Sequence, residues 1–219
     1  SVLLRSEAGR GELLLSAIDP FVLGNKGSAL IHEMLHNLGA RFNGRPCHIP
    51  AALDRNGTVV HALLSGTYAG GSMDEVMARD YLAGRYWGAM DSNEEGFWNF
   101  ETMNLKGEQK DCAVYLSFWL FSPRSLVNLL LEPNMPRLDL EFAADDKLAV
   151  YVNGNLLDNA VKRQDNPALP QRIEGIPLEK GWNHVLLKVG QLWGGWNGRF
   201  RFIATDPAYM RQLESVIMQ

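Results

Sequence analysis

The sequence predicts a mainly β protein: an antiparallel β-sandwich over residues 57–219, preceded over residues 1–56 by a small α/β remnant. Two observations carry the sandwich. Apolar side chains alternate with polar ones in four runs: Leu138, Leu140 and Phe142; Leu148, Val150 and Val152; Val185, Leu187 and Val189; Phe200 and Phe202. A period of two turns one face inward and one toward water, the pattern of a half-buried antiparallel strand. After the second run stands Asn153-Gly154. Both residues take positive φ cheaply, so the pair marks a tight hairpin turn. The third observation, behind the remnant, is an apolar run followed by a capped helical pattern near the start of the chain.

Residues 11–19 form that run and read as a buried strand. Pro20, Gly24 and Gly27 then mark a loop. Ser28 caps a helix that runs to Leu38 and stops at Gly39, with Leu30, Ile31, Met34, Leu35 and Leu38 on one side. One strand and one helix bury too little apolar surface to fold alone. They read as the tail of an α/β domain whose body lies upstream, so Ser1 reads as a cut. Residues 43–56 are polar and irregular, a linker. A strand over 58–64 opens the second domain, and a short helix follows over 73–83. The aromatic and acidic stretch 86–101 crosses the sandwich. Residues 113–120 alternate as a strand ended by Pro123, and 126–131 give the next. After Asp206 a terminal helix is expected, with Tyr209, Leu213, Val216 and Ile217 on its apolar side.

Composition narrows the function classes. With 46% hydrophobic and 21% charged residues the chain is an ordinary globular protein rather than a disordered one. A net charge of −4 gives no basic footprint for nucleic acid, and no Lys/Arg run offers itself to a membrane surface. No apolar stretch approaches the roughly 20 residues of a membrane span. Cys47 and Cys112 lie far apart in sequence, and both a disulfide and two thiols remain open.

The sharpest short motif is His32-Glu33-Met-Leu-His36. On a helix this spacing puts two imidazoles on one face for zinc, and the glutamate can act as base on a bound water. The string through Gly39 resembles the metzincin signature, but Phe42 stands where that family has its third histidine. Glu75, Glu94 or Glu95 could supply a third ligand as in thermolysin-like enzymes, yet none sits in a second helix motif. The plainer reading is two polar residues on the solvent face of an amphipathic helix. Zinc is therefore expected only under a peptidase alternative.

Asp145-Asp146 precedes a strand, where adjacent carboxylates can bind calcium or accept hydrogen bonds from sugar hydroxyls. Read plainly, they are a charged turn. Trp193-Gly-Gly-Trp196-Asn197-Gly198 lies between two strands. Tryptophan faces can stack on sugar rings, and glycines let a ring approach. The plainer reading is that large aromatics plug the end of the sandwich. Trp182, in Gly-Trp-Asn before a strand, reads as core. Trp87, Phe97 and Trp98, flanked by Asp91, Glu94 and Glu95, form a second aromatic and acidic cluster. Neither carboxylate pair has the separation that glycosidase chemistry needs, since sequence neighbours rarely face each other across a substrate.

The stretch from Ala143 through Val150 and Asn153-Gly154, then Gly181-Trp-Asn183 and Leu187-Lys-Val189, resembles the jelly-roll modules beside the catalytic domains of bacterial glycoside hydrolases, above all β-galactosidase-like enzymes. Those modules are galactose-binding-like sandwiches. The remnant is similar to the end of a glutamine-amidotransferase-like domain of the same enzymes, through Gly9 to Ser16 and Leu38 to Phe42. The resemblance implies a non-catalytic carbohydrate-binding or accessory module of a secreted or periplasmic enzyme. Its implied partners are carbohydrate or the catalytic domain of the same polypeptide. Trp193, Trp196, Asn197, Asp145 and Asp146 are the expected sugar-binding residues, with no catalytic residue and no cofactor beyond calcium at the Asp pair. A sandwich without any ligand is the third reading.

Overall fold

The structure, a computed structural model, describes residues 3–8, 11–16, 51–79, 87–103, 110–127, 136–157, 162–163 and 170–217. By its internal contacts the chain divides into two units, residues 1–49 and 50–219.

In the first unit, β1 (Leu3–Ala8) and β2 (Gly11–Ser16) pair antiparallel, from Leu3 opposite Ser16 to Ala8 opposite Gly11. The apolar run thus forms a strand, though it has an antiparallel partner that the sequence reading did not include. The expected helix with His32, Glu33 and His36, and also Cys47, lie outside the described residues.

The second unit is an antiparallel β-sandwich. Its described strands, in chain order, are β3 (His61–Ser65), β4 (Tyr68–Ala69), β5 (Trp87–Asp91), β6 (Phe97–Asn99), β7 (Cys112–Ser122), β8 (Leu138–Ala144), β9 (Lys147–Val152), β10 (Asn155–Leu156), β11 (Lys162–Arg163), β12 (Gln171–Ile173), β13 (Gly181–Gln191), β14 (Asn197–Ala204) and β15 (Glu214–Val216). Among the described residues it also has two short helices, α1 (Met73–Ala78) and α2 (Pro207–Met210). The larger sheet runs β10-β9-β13-β7-β3-β5, with β11 on β9 and both β4 and β15 on β7. The smaller sheet runs β12-β8-β14-β6.

The period-two reading holds residue by residue. All eleven apolar positions of the four alternating runs are at most 3% exposed. They meet between the sheets, where the Phe118 and Phe202 rings contact edge to face at 6.0 Å. Asn153 and Gly154 turn β9 into β10 with φ of 51° and 82°, as a two-residue hairpin requires.

The other face of the larger sheet departs from simple alternation. Lys188 and Ser117 point away from the sandwich core, yet they are 0% and 8% exposed. Ser117 Oγ meets His184 Nε2 at 2.8 Å, and Lys188 is covered by α1, which Ser72 starts with a reciprocal capping box to Glu75. Its Met73, Val76 and Met77 pack on Ala113 and Ala149 of the sheet. Beside it Tyr68, Tyr115 and Leu186 form a second small cluster.

Two expectations need correction. The C-terminal segment is not a long helix. α2 has four residues, and the chain then extends as β15 along β7, with Val216 opposite Trp119. The four residues Tyr209, Leu213, Val216 and Ile217 were too few to decide between the two periods. Leu126 and Val127 are not in a strand, and the rest of that expected strand lies outside the described residues. The stretch 86–101 does cross the sandwich: β5 belongs to the larger sheet and β6 to the smaller.

Candidate functional site

Three connections pass between the sheets at one end of the sandwich. The chain leaves β6 for β7, β8 for β9, and β13 for β14, and registers place these strand ends together. Asn197 lies opposite Asn99, Gly198 opposite Ala144, and Gln191 opposite Cys112. The Asp145-Asp146 corner and the loop 192–196 are therefore neighbours in space, although about fifty residues separate them in sequence.

Backbone and side chains tie the corner to the loop. The Asp146 Oδ2 atom accepts the Leu192 N–H at 2.5 Å. The Asp145 N–H donates to the Asn197 carbonyl at 3.2 Å. Gln191 Nε2 donates to the Gly194 carbonyl at 2.8 Å and closes the loop on itself. Gly195 lies against the acid: a Cβ placed there would sit 3.4 Å from Asp145 Oδ2 and 3.9 Å from Asn197 Nδ2. Burial, then the charges of Asp146 and Glu101, raise the Asp145 pKa above the ordinary carboxylate value. Three carboxyl groups thus share this end.

The two loop tryptophans part company. Trp193 is 73% exposed, the most open large apolar side chain among the described residues. Trp196 is 1% exposed. Its ring lies 5.5 Å from Phe100, which in turn stacks on Trp98 at 6.5 Å. Trp196 is therefore a plug of the core, against the expectation that it presents a face to a sugar. A ring with no open face cannot stack on a ligand. Its Nε1 has no hydrogen-bond partner among the described residues. Next to the Asp146 side, Ser72, Asp74, Asp111, Lys147 and Leu192 line a shallow pocket of about 220 Å³. Lys147 pairs there with Asp74.

The second expected cluster does not assemble. Trp87 is on the larger sheet near Tyr115, whereas Trp98 is buried in the smaller one and donates Nε1–H to the Val59 carbonyl at 2.9 Å. Phe97 stays at the surface under Arg199. Trp182 is not core either. It is half-buried on the outer face of the larger sheet, 5.4 Å from Phe121. One step along the same strands, Trp119 and His184 lie 4.9 Å apart. This aromatic patch was missed, although the odd positions of β7 carry its signal: Ser117, Trp119 and Phe121 are too aromatic for a plain solvent face.

Among the described residues no group of three or more His, Cys, Asp or Glu side chains is arranged to hold a metal ion. Asp146 already spends one oxygen on a backbone N–H.

The class that fold and site define is an antiparallel β-sandwich with an exposed tryptophan loop. No family model and no curated protein matches the chain. Solved structures do. An anti-sigma factor domain-containing protein is similar at 13% identity and a TM-score of 0.41, over 67% of this chain and 43% of that one. A β-glucosidase from Kluyveromyces marxianus in complex with glucose is similar at 13% identity and a TM-score of 0.42, over 83% of this chain and 22% of that one. A family 35 carbohydrate-binding module from an environmental isolate is similar at 15% identity and a TM-score of 0.34, over 65% and 88%. The chain thus spans less than half of the first two. The ligands in these names belong to those proteins.

Proposed function

We propose that residues 50–219 form a non-catalytic carbohydrate-binding module, an accessory to a secreted or periplasmic glycoside hydrolase of the β-galactosidase-like kind. The observation that carries this reading is Trp193. Leaving a tryptophan 73% exposed forgoes the burial of a large apolar surface. It stands at the tip of a loop whose base is fastened by Asp146 and Gln191, so the ring is presented by a rigid mount.

Around it are the groups that a sugar needs. The Asp145 and Asp146 carboxylates and the Asn197 amide can accept hydrogen bonds from hydroxyls, and the amide also donates. Glu101, Asp145 and Asp146 lie together, and their summed charge favours a neutral sugar over a uronate. Tryptophan stacking supplies affinity, and the acids and amide orient the ring. The same surface is suited to a neighbouring catalytic domain of the same polypeptide in the scaffold version of this reading.

A screen of neutral glycans against the intact chain, followed by titration of each hit with the Trp193→Ala variant, tests the proposal. Binding that depends on Trp193 supports it. Absence of any hit leaves the ligand-free scaffold as the better account.

A further inference from the structure

The outer face of the larger sheet is covered unevenly. At one end α1 seals Ala113 and Ala149. In the middle Tyr68, Tyr115 and Leu186 close over one another. Beyond Ser117 the cover thins. In register, Trp119 lies opposite His184 and Phe121 opposite Trp182, and all four are half-buried rather than buried. They form two rows, with ring separations of 4.9 Å and 5.4 Å. The rows are two residues apart along each strand, about 6.7 Å.

The patch is not purely apolar. Neither indole N–H, of Trp119 or of Trp182, hydrogen-bonds to a protein group among the described residues, and neither is among the enclosed unsatisfied atoms. His184 is held in place. Its Nε2 meets Ser117 Oγ at 2.8 Å, and its backbone N–H donates to Asn153 Oδ1 at 2.9 Å. That fixes the ring and leaves Nδ1 without a protein partner among the described residues. No cationic side chain belongs to the two rows, and the charged residue at their edge is Glu214, opposite Phe121.

We propose that Trp119, Phe121, Trp182 and His184 form a second, independent glycan platform that takes a neutral oligosaccharide along the sheet. Ring faces meet the C–H faces of successive sugars, and the two indole N–H groups and His184 Nδ1 meet their hydroxyls. A protein partner would leave those polar groups unpaired in a dry contact, which costs affinity. An anionic chain would meet Glu214 with no cation to offset it. The two-row length suits an oligosaccharide rather than a single sugar.

The test follows the indole N–H resonances of the intact chain, one per tryptophan, during titration with cellohexaose, xylohexaose and mannohexaose. It is repeated in the Trp193→Ala variant, so that failure of the loop site and of the sheet site are told apart. The expected result is that Trp119 and Trp182 shift with at least one of the three sugars in both proteins. Affinity should then fall about tenfold in Trp182→Ala. His184→Phe, which keeps the ring but removes its polar atoms, should weaken binding by less. If neither resonance moves with any of the three, the proposal fails. It fails equally if both move with protein concentration alone, because a second copy then covers the face.

Discussion

Asp146 Oδ2 accepts the Leu192 N–H at 2.5 Å and so fastens the β8–β9 corner to the loop that carries Trp193. The bond makes the corner part of the mount. Asp146→Ala removes the acceptor and leaves a partly buried N–H unpaired, which costs about 1–3 kcal/mol. The expected outcome is a lower melting temperature together with weaker glycan binding. Asp146→Asn keeps an acceptor oxygen and should recover most of both. Equal loss in the two variants would mean that charge rather than the bond matters.

Trp196 gives the opposite expectation from Trp193. Its ring fills the core beside Phe100, so Trp196→Ala should destabilise the domain by about 3–5 kcal/mol. Denaturant titration of the folded chain reads this directly. A near-neutral Trp196→Ala would contradict its place in the core.

Lys188 is fully buried, and its Nζ donates to the carbonyls of Val76, Met77 and Arg79 at 2.6, 2.9 and 2.6 Å. These carbonyls end α1, where a cation is favoured. The ammonium also lies 5.3 Å from the Tyr115 ring. Lys188→Met removes a charge with its partners in place and strands those carbonyls, so a loss of about 2–4 kcal/mol is expected. Hydrogen exchange should show α1 opening before the sandwich does.

His184 has its pKa lowered from 6.5, and burial is the cause. Below pH 6.5 the unfolded chain therefore binds a proton that the folded chain resists. Stability should fall as pH drops from 6.5 toward the lowered folded value, and level off below it. Thermal melts across that window, compared with His184→Phe, check the sign. The variant should lack this component of the slope.

Much of the sandwich was legible because burial on one face imposes a period of two. Leu148, Val150 and Val152 declared β9, and Asn153-Gly154 declared its turn. Lys188 shows the limit. A lysine inside Val185 to Val189 reads as solvent-facing, and only the docking of α1 buries it. The loop shows another limit. Trp193 and Trp196 have similar glycine-rich surroundings, so nothing local separates a plug from an open ring. Their difference is set by Phe100, which belongs to another crossing of the sheets. β15 escaped notice because three residues on an edge carry too little pattern.

The most direct measurement is calorimetric titration of the intact chain and of Trp193→Ala with a neutral glycan found in the screen. The account predicts measurable binding to the intact chain and a loss of about tenfold or more in the variant, roughly 1.4 kcal/mol, with unchanged thermal stability. Equal affinity in the two proteins, or no neutral glycan bound by the intact chain, would contradict it.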